Sequence, residues 1–105
     1  PGEIPAESAL AIYRVAQEAL QNAIKHSGAS EISMTLTVKP LSACLTVFDD
    51  GIGIAEDDSG QNHGLGIIGM RERTHLVGGT FDVKAGAGGG TVINIQVPIE
   101  DSREE

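Results

Sequence analysis

A single cysteine, Cys44, stands in the 105 residues, so no disulfide can form within the chain, which fits a reducing compartment. The histidines, His26, His63 and His75, are scattered, and no His/Cys spacing suited to zinc is present. Positive charge is scarce: seven Lys and Arg against fifteen Asp and Glu give a net charge of −8. A domain this acidic is ill suited to nucleic acid, whose backbone needs neutralising cations. It also repels a free nucleotide at long range, so a bound one would need magnesium, lysine or backbone amides close by. No apolar run approaches the roughly 20 residues of a membrane helix, and the chain does not open on the basic, then apolar, pattern of a secretion signal. What is present, 40% hydrophobic residues over this length, suits one domain with one modest core. Cys44 lies within an apolar run and is expected to be a buried structural thiol, not a reactive one.

Residues 1–5 read as an extended entry. From Glu7 the pattern is helical, with Leu10, Tyr13, Gln17, Leu20 and Ile24 recurring at steps of three and four beside filling alanines, up to Ser27 and Gly28. Ile32, Met34, Leu36 and Val38 then alternate with Ser33, Thr35 and Thr37, the mark of a strand with one wet face. After a turn at Pro40–Ser42, "ACLTVF" forms a second strand that runs into Asp49. Residues 50–63 read as loop, 65–77 as a helix closed by Gly78 and Gly79, "TFDVKA" as a third strand and "TVINIQVPI" as a fourth. No internal repeat is found. The order α-β-β-α-β-β predicts a two-layer α/β sandwich, a mixed, mostly antiparallel sheet with helices on one face. The domain spans 1–99, and 100–105 is a charged tail.

Four stretches carry candidate chemistry. In "EALQNAIKH", Glu18, Asn22 and Lys25 form one helical stripe with His26 on its flank. This is either a solvated face or a magnesium-phosphate grip, with a hard amide oxygen, a cationic point and an acceptor able to orient or deprotonate a nucleophile. "FDDGIGIAED" lacks the Asp ladder of a calcium loop. It is either a hairpin turn or a pocket floor, where Gly51 and Gly53 let the backbone lie flat against a ring while Asp49 accepts a hydrogen bond. "GLGIIG", residues 64–69, matches the dinucleotide fingerprint by letters only, because no strand leads straight into it. It reads as a flexible joint or as amides at a helix start open to phosphate. "GGGT" is a loose hairpin or a ligand contact through Thr91. Strand parity joins two of these. Asp49 shares a side with Leu45 and Val47, and Thr91 shares one with Ile93, Ile95 and Val97. If those sides face the helices, a carboxylate and a hydroxyl enter an apolar layer and can hold a flat, amine-bearing ligand.

An Asn-bearing helix, then Asp-x-Gly-x-Gly, then Gly-x-Gly at a helix start, then Gly-Thr entering a strand resembles the Bergerat-type ATP-binding domain of the gyrase, HSP90, histidine kinase and MutL superfamily. "YRVAQEALQNAIKHSGAS" and "GLGIIGMRERTHLVGGTF" are most similar to sensor histidine kinases of the nitrate-sensor group. The resemblance implies that Asn22 coordinates Mg²⁺, that Lys25 or His26 approaches the phosphates, and that Glu18 is the family's acidic residue one turn before the Asn. It implies that Asp49 binds the adenine amine with Thr91 behind it, and that Gly51 and Gly53 flank the base. Gly64 and Gly66 would cradle phosphate under a short lid that is mobile without nucleotide, and Arg71 and Arg73 would contact phosphate or the partner domain. The implied function is binding of Mg-ATP and presentation of its γ-phosphate to a histidine on dimerisation helices of the same protein, upstream of a response regulator. The setting would be cytoplasmic, whether or not the parent is membrane-anchored. A serine kinase acting on an anti-anti-sigma factor, or a nucleotide-binding regulatory module without catalysis, are the alternatives. The family's edge strand before the first helix, and its phosphoacceptor helices, are not among these 105 residues. The resemblance therefore implies that this chain alone does not phosphorylate itself.

Overall fold

A computed structural model describes residues 4–25, 28–51, 66–86 and 89–99. The elements are α1 (Ala6–Lys25), β1 (Ile32–Val38), β2 (Ser42–Asp49), α2 (Ile67–Leu76), β3 (Thr80–Ala85) and β4 (Thr91–Pro98). The four strands form one sheet in the order β1-β2-β4-β3, and all three pairings are antiparallel. Both helices pack on one face of it. This is the two-layer sandwich that the alternation of residues predicts, and it is incompatible with the βαβ unit that a true dinucleotide fingerprint requires.

Glu7 in the first turn of α1 and Lys25 in the last complement the helix dipole. Beyond the helix Gly28 takes a φ of +63°, and the Ala29 amide folds back to donate to the Ala23 carbonyl at 3.1 Å. α2 starts at Gly66, which is left-handed with a φ of +78°, and stops at Val77, after which the Gly78 and Gly79 amides return to the last turn. Inside α2 the buried Thr74 hydroxyl donates to the Met70 carbonyl at 2.8 Å. No described helix is long and apolar enough to cross a membrane.

The core lies between helices and sheet. Ile12, Val15 and Ala19 of α1 and Ile67 and Met70 of α2 close on Ala43, Leu45 and Val47 of β2 and Ile93, Ile95 and Val97 of β4. The face of α1 turned inward is not the one with the largest apolar residues. Tyr13 is 58% exposed and Ile24 62%, and Leu10 and Leu20 are exposed with them, while Val15 is 0% exposed and sits among Ser8, Ala11, Ala19, Asn22 and Ala23. Small side chains let the helix axis approach the sheet and α2 closely, and Asn22 is carried inside with them. On β1 the apolar row faces the helix side, opposite Ala43, Leu45, Val47 and Asp49, yet Met34, Leu36 and Val38 remain exposed. β1 is an edge strand, and α1 lies mainly over its neighbours.

Cys44 is half-buried rather than in the core. It falls between the buried Ala43 and Leu45, so the two-residue period of the strand turns it to the opposite, open face. On that face the Thr46 hydroxyl donates across strands to Asn94 Oδ1 at 2.6 Å.

The inward face of α1 is separable from its apolar stripe by mutation. Val15→Ala should cost about 2 kcal/mol or more through lost burial and a cavity. Tyr13→Ser should stay within about 0.5 kcal/mol, as a surface change does. Urea unfolding of both variants checks this, and equal losses would contradict the observed orientation of α1.

Candidate functional site

Register brings the sequence-predicted pair together. Asp49 ends β2 and Thr91 begins β4, and the two are direct cross-strand partners. Both face the helices, in line with Leu45 and Val47 on one strand and Ile93 and Ile95 on the other. Asp49 is 6% exposed and Thr91 4%. A buried carboxylate needs donors, and the Gly51 amide donates to Asp49 Oδ1 at 2.9 Å. The Thr91 hydroxyl has no hydrogen-bond partner among the described residues. An apolar layer that ends in a carboxylate and an unsatisfied hydroxyl can receive a ligand with polar edges.

The glycines before Thr91 serve this close approach. Gly90 has a φ of +83°, and a Cβ there would collide with the Asp49 carbonyl. With Gly89 also left-handed, the hairpin bends β4 against the end of β2 in a conformation that side chains resist.

Helix α1 delivers its polar residues to the same end of the sheet. Its first turn lies at the far end, where the Ser8 hydroxyl donates to the Pro98 carbonyl at 3.4 Å. Its last turn leads through residues 28–31 into Ile32, the partner of Asp49 in β1. Asn22 is buried on the inward face of that last stretch and is engaged within the fold. Glu18, one turn earlier, lies directly against Gly66, so closely that a Cβ on residue 66 would strike its carboxylate. Lys25 is exposed in the final turn.

A cleft of about 190 Å³ between the helices is lined by Arg14, Gln17, Glu18, Gly66, Gly69, Met70 and Arg73. Arg73 therefore joins Glu18 and Gly66. Arg71 does not: its guanidinium lies over the Phe81 ring, 5.1 Å from the centroid, on the β3 side of α2. A larger cleft of about 580 Å³, lined by residues including Ser8, Val77 and Pro98, is at the opposite end of α1, away from Asp49 and Thr91. The buried polar pair, not the larger cleft, marks the candidate site. His26, Gly53 and Gly64, and most of the expected lid, lie outside the described residues. Among the described residues no group of three or more His, Cys, Asp or Glu side chains gathers to hold a metal.

In the sequence Asp50 reads only as the first residue of the loop over 50–63, with no role of its own. Its Oδ1 accepts from the Ser30 amide at 2.8 Å and from the Glu31 amide at 2.9 Å. Its own amide donates to the Glu31 carbonyl at 3.2 Å. The Glu31 amide first, then that of Ser30, hold the Asp50 carboxyl below the usual carboxylate range. The only hint in the sequence is an Asp at the end of a strand, a residue type that readily accepts from nearby amides.

The comparisons with known proteins fit this geometry. The family model described as "Histidine kinase-, DNA gyrase B-, and HSP90-like ATPase" matches residues 7–101. The chain is 37% identical over 90 residues to the oxygen sensor histidine kinase NreB of Staphylococcus carnosus, covering 86% of this chain and 26% of that protein. It is 38% identical over 93 residues to the nitrate/nitrite sensor protein NarX of Escherichia coli, covering 89% and 15%. It thus spans about a quarter or less of these relatives. Among solved structures, the Erythrobacter litoralis EL346 blue-light activated histidine kinase superposes with a TM-score of 0.74 at 28% identity, over 97% of this chain and 34% of that one. The ATP binding domain of PrrB from Mycobacterium tuberculosis superposes with a TM-score of 0.71 at 22% identity, over 86% and 68%, a likeness of fold. On the match of that family model over residues 7–101, this chain belongs to the histidine kinase-, DNA gyrase B- and HSP90-like ATPase family.

Proposed function

We propose that this chain is the ATP-binding part of a sensor histidine kinase, which holds Mg-ATP and presents the γ-phosphate to a histidine on separate dimerisation helices of the same protein. The observation that carries the reading is the buried cross-strand pair of Asp49 and Thr91, with the Thr91 hydroxyl unpartnered among the described residues at the end of an apolar layer. The adenine amine would donate to Asp49, with Thr91 completing the polar edge and Gly51 and Gly53 keeping the backbone flat beside the ring. The names of the relatives, an oxygen sensor histidine kinase and a nitrate/nitrite sensor, support a part in sensory signalling; a downstream response regulator and a cytoplasmic setting complete the proposal.

The triphosphate would run from Asp49 toward α1 and the start of α2. Amides at the start of α2 behind Gly66 would suit phosphate, and Lys25 and Arg73 would supply positive charge that a chain of net −8 otherwise lacks, with Gly64 and His26, outside the described residues, as further candidate contacts. Arg71, held over Phe81, takes a lesser part in this reading. Magnesium keeps most of its waters and takes one or two protein oxygens along with phosphate. A single buried amide oxygen on Asn22 fits that donor set, and the bound ion would neutralise charge on the phosphates. Glu18, one turn away, would orient or deprotonate the incoming nucleophile. The remaining work is positioning, since phosphoryl transfer asks for alignment and charge stabilisation more than covalent chemistry.

Three measurements test the reading. Asp49→Ala removes a charged acceptor worth roughly 1.5–3 kcal/mol, so affinity for a fluorescent ATP analogue should fall about 10- to 150-fold, and an unchanged affinity would remove Asp49 from the site. Thermal stabilisation by ATP should depend on Mg²⁺. In Asn22→Ala the magnesium increment should shrink while some nucleotide effect persists; a full increment would disqualify Asn22 as the ligand. With γ-labelled ATP, the chain alone should bind nucleotide without gaining acid-labile label, and label should appear when the acceptor helices are supplied.

A further inference from the structure

Asp50 is the strongest unassigned feature near the site. It follows Asp49 directly, and its hydrogen bonds form a closed set with one short segment. The Asp50 amide donates to the Glu31 carbonyl, and the Glu31 amide donates back to Asp50 Oδ1. The Ser30 amide donates to the same oxygen. These bonds lie one step beyond the last β1–β2 pair, Ile32 with Asp49. An antiparallel ladder ordinarily frays where its strands part, and here the parting point is locked at the residue after the site carboxylate. Residues 28–31 are also the link from α1, so the same bonds tie the helix that carries Asn22 to the strand that carries Asp49.

We infer that Asp50 is a positioning residue for the nucleotide base: through one carboxylate oxygen it pins the α1–β1 link to the end of β2 and so fixes the direction in which Asp49 presents its acceptor. The inference rests on the proposed adenine role of Asp49 and adds a residue that does not itself touch the ligand. Its selectivity follows from chemistry. Asp49 is an acceptor, which suits the exocyclic amine of adenine and opposes the carbonyl that guanine has in the same place. A pinned Asp49 discriminates between the two, and a loosened one does not. Geometry carries the effect, because one oxygen accepts both amides. An amide oxygen in the same place can do likewise, whereas a carboxylate moved out by one methylene cannot reach in the same way.

The experiment compares ATP and GTP binding, as displacement of a fluorescent ATP analogue, across wild type, Asp50→Ala, Asp50→Asn and Asp50→Glu, with Asp49→Ala alongside. In Asp50→Ala, ATP affinity should fall about tenfold while GTP affinity stays within about twofold, so that selectivity collapses. Asp50→Asn should restore ATP affinity to within about threefold of wild type, and Asp50→Glu should not. If Asp50→Ala does not fold, the Asn and Glu variants decide by themselves. Three results overturn the inference: unchanged ATP binding in Asp50→Ala, a parallel loss of ATP and GTP, or an Asn variant as weak as the Glu variant. Failure of the underlying reading looks different. There Asp49→Ala would bind ATP like wild type, or wild type would not bind ATP at all, and the role of Asp50 would fall with it.

Discussion

The antiparallel register of β2 with β4 is the constraint on which the rest depends. It runs from Ser42 opposite Pro98 to Asp49 opposite Thr91, and along it every second residue turns toward the helices. A slip of one residue would send Ala43, Leu45 and Val47 to the open face and Asp49 with them. The burial of that apolar row therefore also holds a carboxylate and a hydroxyl side by side where water is excluded. The core and the candidate site are stabilised by the same interaction, and a polar pair that would be costly in isolation rides on the apolar burial beside it.

The second constraint is the close approach of α1. Its inward face, with Ile12 the one large apolar residue beside Ala11, Val15, Ala19 and Ala23, offers modest area per residue, but it lets the helix settle near the sheet and near α2. That nearness carries Asn22 inward and sets Glu18 against Gly66, whose left-handed backbone disfavours a side chain and where a Cβ would have to displace the Glu18 carboxylate. Larger residues on this face would bury more surface and hold the two helices apart. The candidate site takes its shape from what is missing at those positions.

The charge balance follows the same geometry. A chain with net charge −8 has few cations to spend on an anionic ligand. Arg71 is committed to the Phe81 ring, while Arg14 and Arg73 line the cleft that Glu18 and Gly66 close. Asp50, meanwhile, uses its negative charge within the fold, on two backbone amides, and its carboxyl is held below the usual range as a result.

Much of this was legible in the residues. Strand alternation and glycine punctuation are local signals, and they set out all six elements, the inward parity of Asp49 and Thr91, and Gly66 at the start of α2. The approach of several separated motifs to one end of the sheet was implied by resemblance, since nothing local encodes it. Tertiary structure decided three further matters. Helix α1 has two faces that could be buried, and periodicity favours the one with Leu10, Tyr13, Leu20 and Ile24. The fold turns the smaller one inward, because distance to the sheet and to α2, not hydrophobicity alone, selects the face. Arg71 and Arg73 are two residues apart on α2, so the roughly half-turn between them sends one to Phe81 and the other to α1. Asp50 gained its partners only when residues 30 and 31 returned to it across about twenty residues of chain, a separation that no local pattern records.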